Sequence, residues 1–287
     1  MIVTRFAPSP TGFLHLGHAF AALTAHRAAE RNQGRFLLRI EDIDTVRSRR
    51  EYEQAIKDDL HWLGLAFEEP VRRQSEHFAD YASALKALDE RGLLYPCFCT
   101  RKEIAEEIAR AATAPHGPDG PLYPGTCRLL STEVRQTHIA GGRSYALRLD
   151  VEKAAALVAH PLVFVEQGVG PAGETGEQIV RPALFGDVVL ARKELPASYH
   201  LAVVVDDALQ GVTLVTRGND LFHATHIHRL LQASLGYETP VYAHHRLILD
   251  ASGKKFSKRD RSVTLERLRR DGESPDSIKA SLGFLPA

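Results

Sequence analysis

Two histidines lie three residues apart, just after a proline-rich turn near the start of the sequence. Turn and pair together read PSPTGFLHLGH (residues 8–18), with His15 and His18 on either side of Gly17. Residues at this spacing share one face of a helical turn, and a helix N-terminus offers free N–H groups that bind phosphate. Gly17 has no side chain, so a planar base could approach the backbone there. The pair is a candidate nucleotide site, although such a pair taken alone is more often structural.

A second candidate segment, GKKFSKR, lies some 240 residues later at 253–259. Lysines around a serine in a glycine-led loop can close over a triphosphate and neutralise charge while its α-phosphate is attacked. The phosphate-contacting candidates are Lys255, Ser257 and Lys258. Taken alone, the segment is more typical of a solvated charged loop.

The chain has three cysteines, an odd number that does not indicate a disulfide framework. Cys97 and Cys99 are separated by one residue, and Cys127 follows after a segment rich in proline and glycine. Three thiolates could hold a structural zinc ion, which takes four tetrahedral ligands. Chemistry alone nominates His116 or His138 as the fourth ligand. The alternative is three unrelated reduced thiols.

The elements that must position these residues alternate along the first part of the chain. Strands are predicted at 2–6 and 36–40, and helices at 17–31, 51–65 and 75–94. This order predicts a parallel sheet with right-handed crossovers, in which the histidine pair follows the first strand. Further strands are predicted at 144–149, 162–165, 184–190, 201–205, 212–216, 241–243 and 247–249. Helices are predicted from Asn219 to 235, with Gly236 as the C-terminal cap, and at 263–270 and 275–282.

Two loose segments interrupt the pattern. Residues 113–126 contain four prolines and three glycines, and residues 166–177 contain four glycines. We therefore predict an insertion within the parallel-sheet domain. The parts are 1–95 as the first half of that domain, 96–190 as the insertion, 191–243 as the second half, and 244–287 as the lysine loop with a short helical tail.

Composition narrows the class of protein. The 287 residues are 44% hydrophobic and 25% charged, which excludes a disordered chain, and 36 basic residues balance 36 acidic ones. Residues 244–287 nevertheless hold ten Lys/Arg against six Asp/Glu, so a polyanion could dock near that end. No apolar run is long enough to cross a bilayer, and the N-terminus does not look like a signal peptide. We expect a cytoplasmic protein without membrane contact.

Together, the histidine pair and the KFSKR segment resemble the paired signatures of class I aminoacyl-tRNA synthetases. RFAPSPTG at 5–12 and RIEDID at 39–44 resemble the glutamyl-type forms, whereas KFSKR departs from the class-wide lysine-methionine-serine-lysine-serine pattern. The resemblance implies an α/β fold: a Rossmann-like parallel sheet with an inserted zinc-bearing α+β subdomain. It also implies ATP as a substrate, assisted by Mg²⁺. His15, His18 and Lys258 would be catalytic, and Gly17, Lys255 and Ser257 would contact ATP.

The resemblance further implies that the amino acid is glutamate. An acidic amino acid needs a cation for its side-chain carboxylate and an anion for its ammonium group. Arg5 and Arg217 offer planar guanidinium groups that can donate two hydrogen bonds each, and Glu41 offers the anion. The implied glutamate-binding residues are Arg5, Phe6, Ala7, Pro8, Ser9, Glu41, Tyr199 and Arg217. Ala7 lacks the hydroxyl that might be expected there, and Glu41 could instead belong to a solvated strand end.

For the metal site, the resemblance implies a tyrosine four residues before the last cysteine. Tyr123 has this spacing to Cys127. The implied zinc ligands are therefore Cys97, Cys99, Tyr123 and Cys127.

Only 28 residues follow Arg259, which is too short for an anticodon-binding domain. On this ground the chain resembles a truncated branch of the family, the glutamyl-queuosine tRNA(Asp) synthetases. That resemblance implies a monomer that activates glutamate with ATP and transfers it to queuosine at the wobble position of tRNA(Asp). The alternatives are an enzyme that charges tRNA(Glu) or another acceptor, and a non-catalytic RNA-binding relative.

Overall fold

Parallel strands built from buried apolar runs form the centre of the fold. The computed structural model describes residues 1–110, 116–118, 120–158, 161–249, 253 and 263–284. In chain order the strands are β1 (Val3–Phe6), β2 (Arg35–Ile40), β3 (Glu68–Arg73), β4 (Leu94–Cys97), β5 (His116–Gly117), β6 (Gly120–Pro121), β7 (Ala146–Leu149), β8 (Val163–Glu166), β9 (Gly176–Ile179), β10 (Val189–Arg192), β11 (Leu214–Gly218) and β12 (Val241–His245). The helices are α1 (Leu16–Arg31), α2 (Arg50–Trp62), α3 (Phe78–Glu90), α4 (Arg101–Arg110), α5 (Thr132–Ala140), α6 (Val151–Leu157), α7 (Tyr199–Leu209), α8 (Ala224–Leu235), α9 (Leu265–Arg270) and α10 (Pro275–Ser281).

The predicted parallel sheet is confirmed. β1, β2 and β3 pair in parallel, as do β11, β12 and β8, with β9 antiparallel at the edge. The backbone N–H of Thr213 donates to the carbonyl of Val3 at 3.0 Å, so β11 runs beside β1. The carboxyl ends of β1 and β11 therefore meet at one edge of the sheet, where parallel α/β folds bind their ligands.

Strand β2 shows why this sheet is stable. Phe36, Leu38 and Ile40 pack into a core with α1 and α2, whereas Leu37 packs into another with Val215 of β11. A strand buried on both faces is typically rich in apolar residues, and β2 is apolar at 36–38 and 40, with the buried Arg39 as the exception. No helix among the described residues is both long enough and apolar enough to cross a bilayer.

The described residues of the predicted insertion contribute to three sheets, one of which is the short antiparallel pair of β5 and β6. β4, β7 and β10 form a separate antiparallel sheet near the cysteines. The β8–β9 hairpin, which also lies within 96–190, instead joins the central sheet beside β12. The domain boundaries at 95, 190 and 243 stay predictions. The β8–β9 hairpin belongs by its pairing to the parallel sheet, although it lies within the predicted insertion.

The strand predicted at 201–205 is wrong, because these residues belong to helix α7. The Ser198 hydroxyl accepts a hydrogen bond from the backbone N–H of Leu201 and so caps the helix. Every residue from 201 to 207 is buried, and residues 201–205 are all apolar, so this stretch shows no helical periodicity.

Two smaller predictions near the site also fail. Residues 247–249 do not form a strand, and Asn219 opens a short 3-10 turn rather than capping α8. Helix α8 does end at Gly236 as predicted, where φ is 72°, a left-handed conformation that glycine adopts without strain.

Candidate functional site

A cavity of about 430 Å³ opens at the carboxyl edge of the sheet. It lies where β1 and β11 end and α1 begins. Its lining includes Arg5, Phe6, Ala7, Pro8, Ser9, His15, Gly17, His18, Glu41, Tyr199 and Arg217. Within the described part of the chain, the structure thus brings all the predicted glutamate- and ATP-contacting residues to one cavity. The other predicted ATP residues, Lys255, Ser257 and Lys258, lie outside the described residues.

The histidine pair forms the N-terminus of α1 at one wall of this cavity. His15 Nδ1 accepts the backbone N–H of Gly17 at 3.1 Å, and His18 Nδ1 accepts that of His15 at 3.2 Å. The two rings lie 3.7 Å apart, centre to centre. A Cβ on residue 17 would sit 3.1 Å from the His15 ring, so glycine keeps the pair closely packed. The pair therefore caps the N-terminus of α1, which lies at the wall of the cavity.

Arg5 and Glu41 line another wall of the cavity, and buried charged side chains behind that wall hold both of them. Arg5 donates from Nε to Asp207 Oδ1 at 3.0 Å and from Nη1 to the carbonyl of Thr216 at 3.2 Å. Arg39, which is completely buried, donates to the same Asp207 oxygen at 2.7 Å and to Glu41 Oε1 at 3.1 Å. Asp207 thus fixes two guanidinium groups, and Arg39 fixes Glu41 at the cavity edge.

The two carboxyl groups of this wall titrate differently. Burial acts to raise the pKa of Asp207, but the flanking charges of Arg5 and Arg39 outweigh it and lower that pKa. For Glu41 burial prevails, so its pKa is raised although Arg39 and Arg5 oppose the shift. A cation bound beside Glu41 would favour its ionised form. Glu41 is therefore suited to hold an ammonium group.

Asp206 belongs to the same buried network but does not line the cavity. Its carboxylate accepts hydrogen bonds from Arg72 at 2.7 Å, from Gln74 at 2.8 Å and from the hydroxyl of Tyr81 at 3.0 Å. Asp206 and Asp207 occupy adjacent positions on α7, so this one helix anchors Arg72 through Asp206 and both Arg5 and Arg39 through Asp207.

Arg217 lies at the end of β11 and is held by uncharged partners. Its Nε donates to His244 Nε2 at 3.0 Å, and its Nη2 donates to the Thr225 hydroxyl at 2.6 Å. Its Nη1 lies 3.0 Å from His228 Nδ1 and 3.5 Å from the Tyr199 hydroxyl. Four of the five guanidinium N–H groups are thus engaged within the described chain. Among the described residues Arg217 thus presents one further N–H together with its charge, and its double hydrogen bond to a carboxylate stays a prediction.

Sequence reasoning missed the residues that surround Arg217. The buried residues it did not assign to the site are Arg39, Glu166, Thr225, His228 and His244. His228, for example, is only 2% exposed. The signal that could have found His244 is strand register, since Arg217 of β11 pairs directly with His244 of β12.

The three cysteines meet at the insertion, away from the cavity. Their Sγ atoms all lie within 4.8 Å of one another, and those of Cys99 and Cys127 are 3.4 Å apart. The hydroxyl oxygen of Tyr123 lies 3.4 Å from Cys97 Sγ and 3.7 Å from Cys99 Sγ. Burial raises the pKa of the Cys99 thiol to about 12. The four predicted ligands therefore form one compact group.

His116 and His138 were the two histidines that chemistry alone nominated as the fourth zinc ligand. His138 packs its ring against Phe98, 4.9 Å away, and is not part of the group of donor atoms that the described residues form. The side chain of His116 lies outside what the structure describes. Geometry thus favours Tyr123 over His138.

Known proteins are similar to this chain in both sequence and fold. The profile of the tRNA synthetases class I (E and Q), catalytic domain, matches residues 1–284. A glutamyl-Q tRNA(Asp) synthetase from Rhodobacter capsulatus is 49% identical, with an alignment that covers 99% of this chain and 100% of that protein. Another from Symbiobacterium thermophilum is 41% identical, covering 99% and 86% respectively.

Among solved structures, the chain is similar to a glutamate-tRNA synthetase from Elizabethkingia anophelis. The TM-score is 0.80 at 27% identity, and the match covers 98% of this chain but 61% of that one. The chain therefore spans about three fifths of the length of that synthetase. The α/β fold with a parallel sheet that the signature motifs implied is confirmed, and so is the class of enzyme, a ligase; the zinc-bearing subdomain stays a prediction. The chain belongs to the class I tRNA synthetases of the E and Q type, among the glutamyl-Q tRNA(Asp) synthetases.

Proposed function

We propose that the cavity binds L-glutamate and ATP and joins them as glutamyl-adenylate. The observation that carries the proposal is the arrangement of charge around a single cavity. Arg217 and Arg5 supply cations and Glu41 an anion at one wall, and the N-terminus of α1 faces the same space from the other. A free amino acid with an acidic side chain fits the first wall, and a nucleotide phosphate fits the second.

In this proposal each group of glutamate has a partner. Its side-chain carboxylate binds the free N–H of Arg217 and the hydroxyl of Tyr199. Its ammonium group lies against Glu41. Its α-carboxylate then points toward the helix N-terminus, where the triphosphate binds.

The first step is displacement at phosphorus. An oxygen of the α-carboxylate attacks the α-phosphorus of ATP, a new P–O bond forms, and the bond to pyrophosphate breaks. The start of α1, with His15 and His18, stabilises the charge that develops on the phosphoryl oxygens. Lys255, Ser257 and Lys258 are proposed to contact the triphosphate from their loop, and Mg²⁺ bound to ATP would neutralise further charge.

The second step transfers the glutamyl group to RNA. We propose that a hydroxyl of the cyclopentenediol of queuosine in tRNA(Asp) attacks the glutamyl carbonyl carbon. The bond to AMP breaks, an ester forms, and the hydroxyl proton passes to solvent. The names of the relatives support this acceptor, since the Rhodobacter capsulatus protein aligns over its full length and is called a glutamyl-Q tRNA(Asp) synthetase.

We also propose a structural zinc ion at the cysteine group. Zinc bonds of about 2.3 Å in a tetrahedral site place sulfur donors about 3.7 Å apart, close to the spacing of Cys99 and Cys127. The metal would favour the thiolate form and so remove the cost of burying several thiols together. Cys97, Cys99, Tyr123 and Cys127 would hold it, linking β4 to the turn that starts at Thr126.

Pyrophosphate exchange tests the first step. The protein is incubated with ATP, labelled pyrophosphate and no tRNA, together with glutamate, glutamine or aspartate. We expect label to enter ATP with glutamate at least about tenfold faster than with the others, since unpaired buried charge penalises the wrong side chain. Exchange with no amino acid preference, or none at all, would contradict the proposal.

Mass spectrometry of tRNA tests the second step. Queuosine-containing tRNA(Asp) is incubated with ATP and glutamate, and its anticodon nucleosides are analysed; queuosine-free tRNA(Asp) is the matched control. Glutamyl ester on queuosine supports the proposal. A parallel reaction contains tRNA(Glu) in place of tRNA(Asp). Ester on the 3′-adenosine of this tRNA(Glu) would instead support the alternative that the chain charges tRNA(Glu).

A further inference from the structure

We propose that Glu166, His228 and His244 are positioning residues that set the specificity of the cavity for a carboxylate. They hold Arg217 in one orientation through uncharged imidazoles, which leaves its positive charge for the side-chain carboxylate of the amino acid. The inference rests on the proposed function, because it specifies how that site distinguishes glutamate from its uncharged amide.

The first support is the proton arrangement between Arg217 and Glu166. A guanidinium group can only donate, so His244 Nε2 must accept the Arg217 Nε–H. The other ring nitrogen, Nδ1, then carries the proton and donates to Glu166 Oε2 at 2.5 Å. Glu166 Oε1 accepts the backbone N–H groups of His244 at 2.8 Å and Gly168 at 2.7 Å. Glu166 thus fixes both the tautomer and the position of the imidazole that holds Arg217.

The second support is the matching arrangement on the other side. His228 Nδ1 accepts from Arg217 Nη1 at 3.0 Å, so its Nε2 carries the proton and donates to His200 Nδ1 at 3.1 Å. His228 and His244 are 2% and 3% exposed. Burial and the neighbouring charge of Arg217 keep the pKa of His228 well below its ordinary value. Both imidazoles are therefore neutral acceptors at physiological pH.

The third support is the contrast with the other arginines of the site. Arg5 and Arg39 form ion pairs with Asp207, and Arg39 forms another with Glu41. The four hydrogen-bond partners that the described residues give Arg217 are two histidines, a threonine and a tyrosine. Glu166 is separated from it by the His244 ring. Arg217 thus keeps a net charge in a buried setting, where an anion gains most from binding.

Substitutions at His228 separate positioning from folding. His228→Leu removes the acceptor of Arg217 Nη1, whereas His228→Asn keeps an acceptor atom close to the place of Nδ1. The matched control is His226→Leu on the same helix, because His226 is also buried but accepts from the backbone N–H of Arg181 instead of Arg217. Glu166→Gln tests the tautomer, since an amide N–H facing His244 Nδ1 would move the imidazole proton to Nε2, against Arg217.

The measurements are KM for glutamate and KM for ATP in pyrophosphate exchange, with the unfolding temperature of each variant. We expect His228→Leu and Glu166→Gln to raise KM for glutamate about tenfold or more, as loss of a hydrogen bond to a charged group predicts, with little change in KM for ATP. His228→Asn should restore most of the affinity that His228→Leu loses. His226→Leu should leave both KM values near those of the wild type.

Two outcomes would overturn the inference in different ways. If the wild type exchanges label with glutamate but His228→Leu and His226→Leu alter both KM values alike, the histidines are merely structural and this inference alone fails. If the wild type shows no glutamate-dependent exchange, the proposed function fails and the inference with it.

Discussion

Glu41 is the carboxylate to which the proposed function gives the anionic role in the pocket. Arg39 holds it at 3.1 Å, and its side chain remains partly exposed to the cavity. Because the site also contains two arginines, Glu41 is the residue that would counter the ammonium group of an amino acid. Removal of the negative charge of Glu41 should therefore weaken the binding of the amino acid.

We expect Glu41→Gln to raise KM for glutamate about 10- to 100-fold, the equivalent of a hydrogen bond between charged groups. Since burial raises the pKa of Glu41, wild-type kcat/KM for glutamate should fall on acidification at a higher pH than an ordinary carboxyl would cause. The variant should lack this part of the pH profile. Pyrophosphate exchange measured across pH checks both expectations.

Glu68→Gln is the matched control, because Glu68 is also paired with an arginine but lies on the surface, with 42% of its side chain exposed. It should leave both kinetic constants nearly unchanged. Equal effects of the two substitutions would show that Glu41 does not contact the amino acid.

At the scale of elements, the proposed zinc site in the insertion can be tested. Strand β4 and the turn from Thr126 to Leu129 carry two of the four proposed zinc ligands, Cys97 and Cys127; Cys99 follows β4, and Tyr123 precedes that turn. We expect one zinc per chain in the wild type, its loss in Cys127→Ser, and an unfolding temperature lower by roughly 5 °C or more. Metal analysis and circular dichroism measure these quantities.

His138→Ala serves as the control, since His138 packs against Phe98 outside the group of sulfur atoms. It should retain the metal. Zinc lost from His138→Ala and kept in Tyr123→Phe would reverse the assignment of the fourth ligand.

Prediction from the sequence succeeded where elements have a clear pattern. The strands that carry Arg5 and Arg217 and the helix that starts after His15 were predicted to within a few residues. Helix α7 was not, because a run buried on every side has no periodicity, and its residues Asp206 and Asp207 could not be assigned. The partners of Arg217 depend on strand register and helix packing, which local sequence does not encode.

At the scale of the molecule, buried histidines make stability depend on pH. Burial lowers the pKa of His200 and of His226 to about 4, and lowers that of His228 well below 6.5. In the unfolded chain these groups bind protons near pH 6.5, so between that pH and about 4 the unfolded state binds more protons than the folded one. Their contribution to stability is complete above pH 6.5 and is lost as the pH falls toward 4.

We therefore expect the free energy of unfolding to be lower at pH 5 than at pH 7 by about 1 to 3 kcal/mol for each of these histidines. Denaturant titrations at the two pH values measure it. His226→Leu should reduce the difference, because it removes one of the groups. Equal stability at both pH values would contradict this explanation.

The ion pair between Arg5 and Asp207 joins residues 202 positions apart. On a ribosome that adds about 5–20 residues each second, Asp207 is synthesised roughly 10–40 s after Arg5. Arg217 and His244 appear later still, so a nascent chain has no complete pocket during most of its synthesis. The proposed pocket can therefore be completed only after residue 244 has been synthesised, and the closure of so long a loop slows the formation of this end of the sheet.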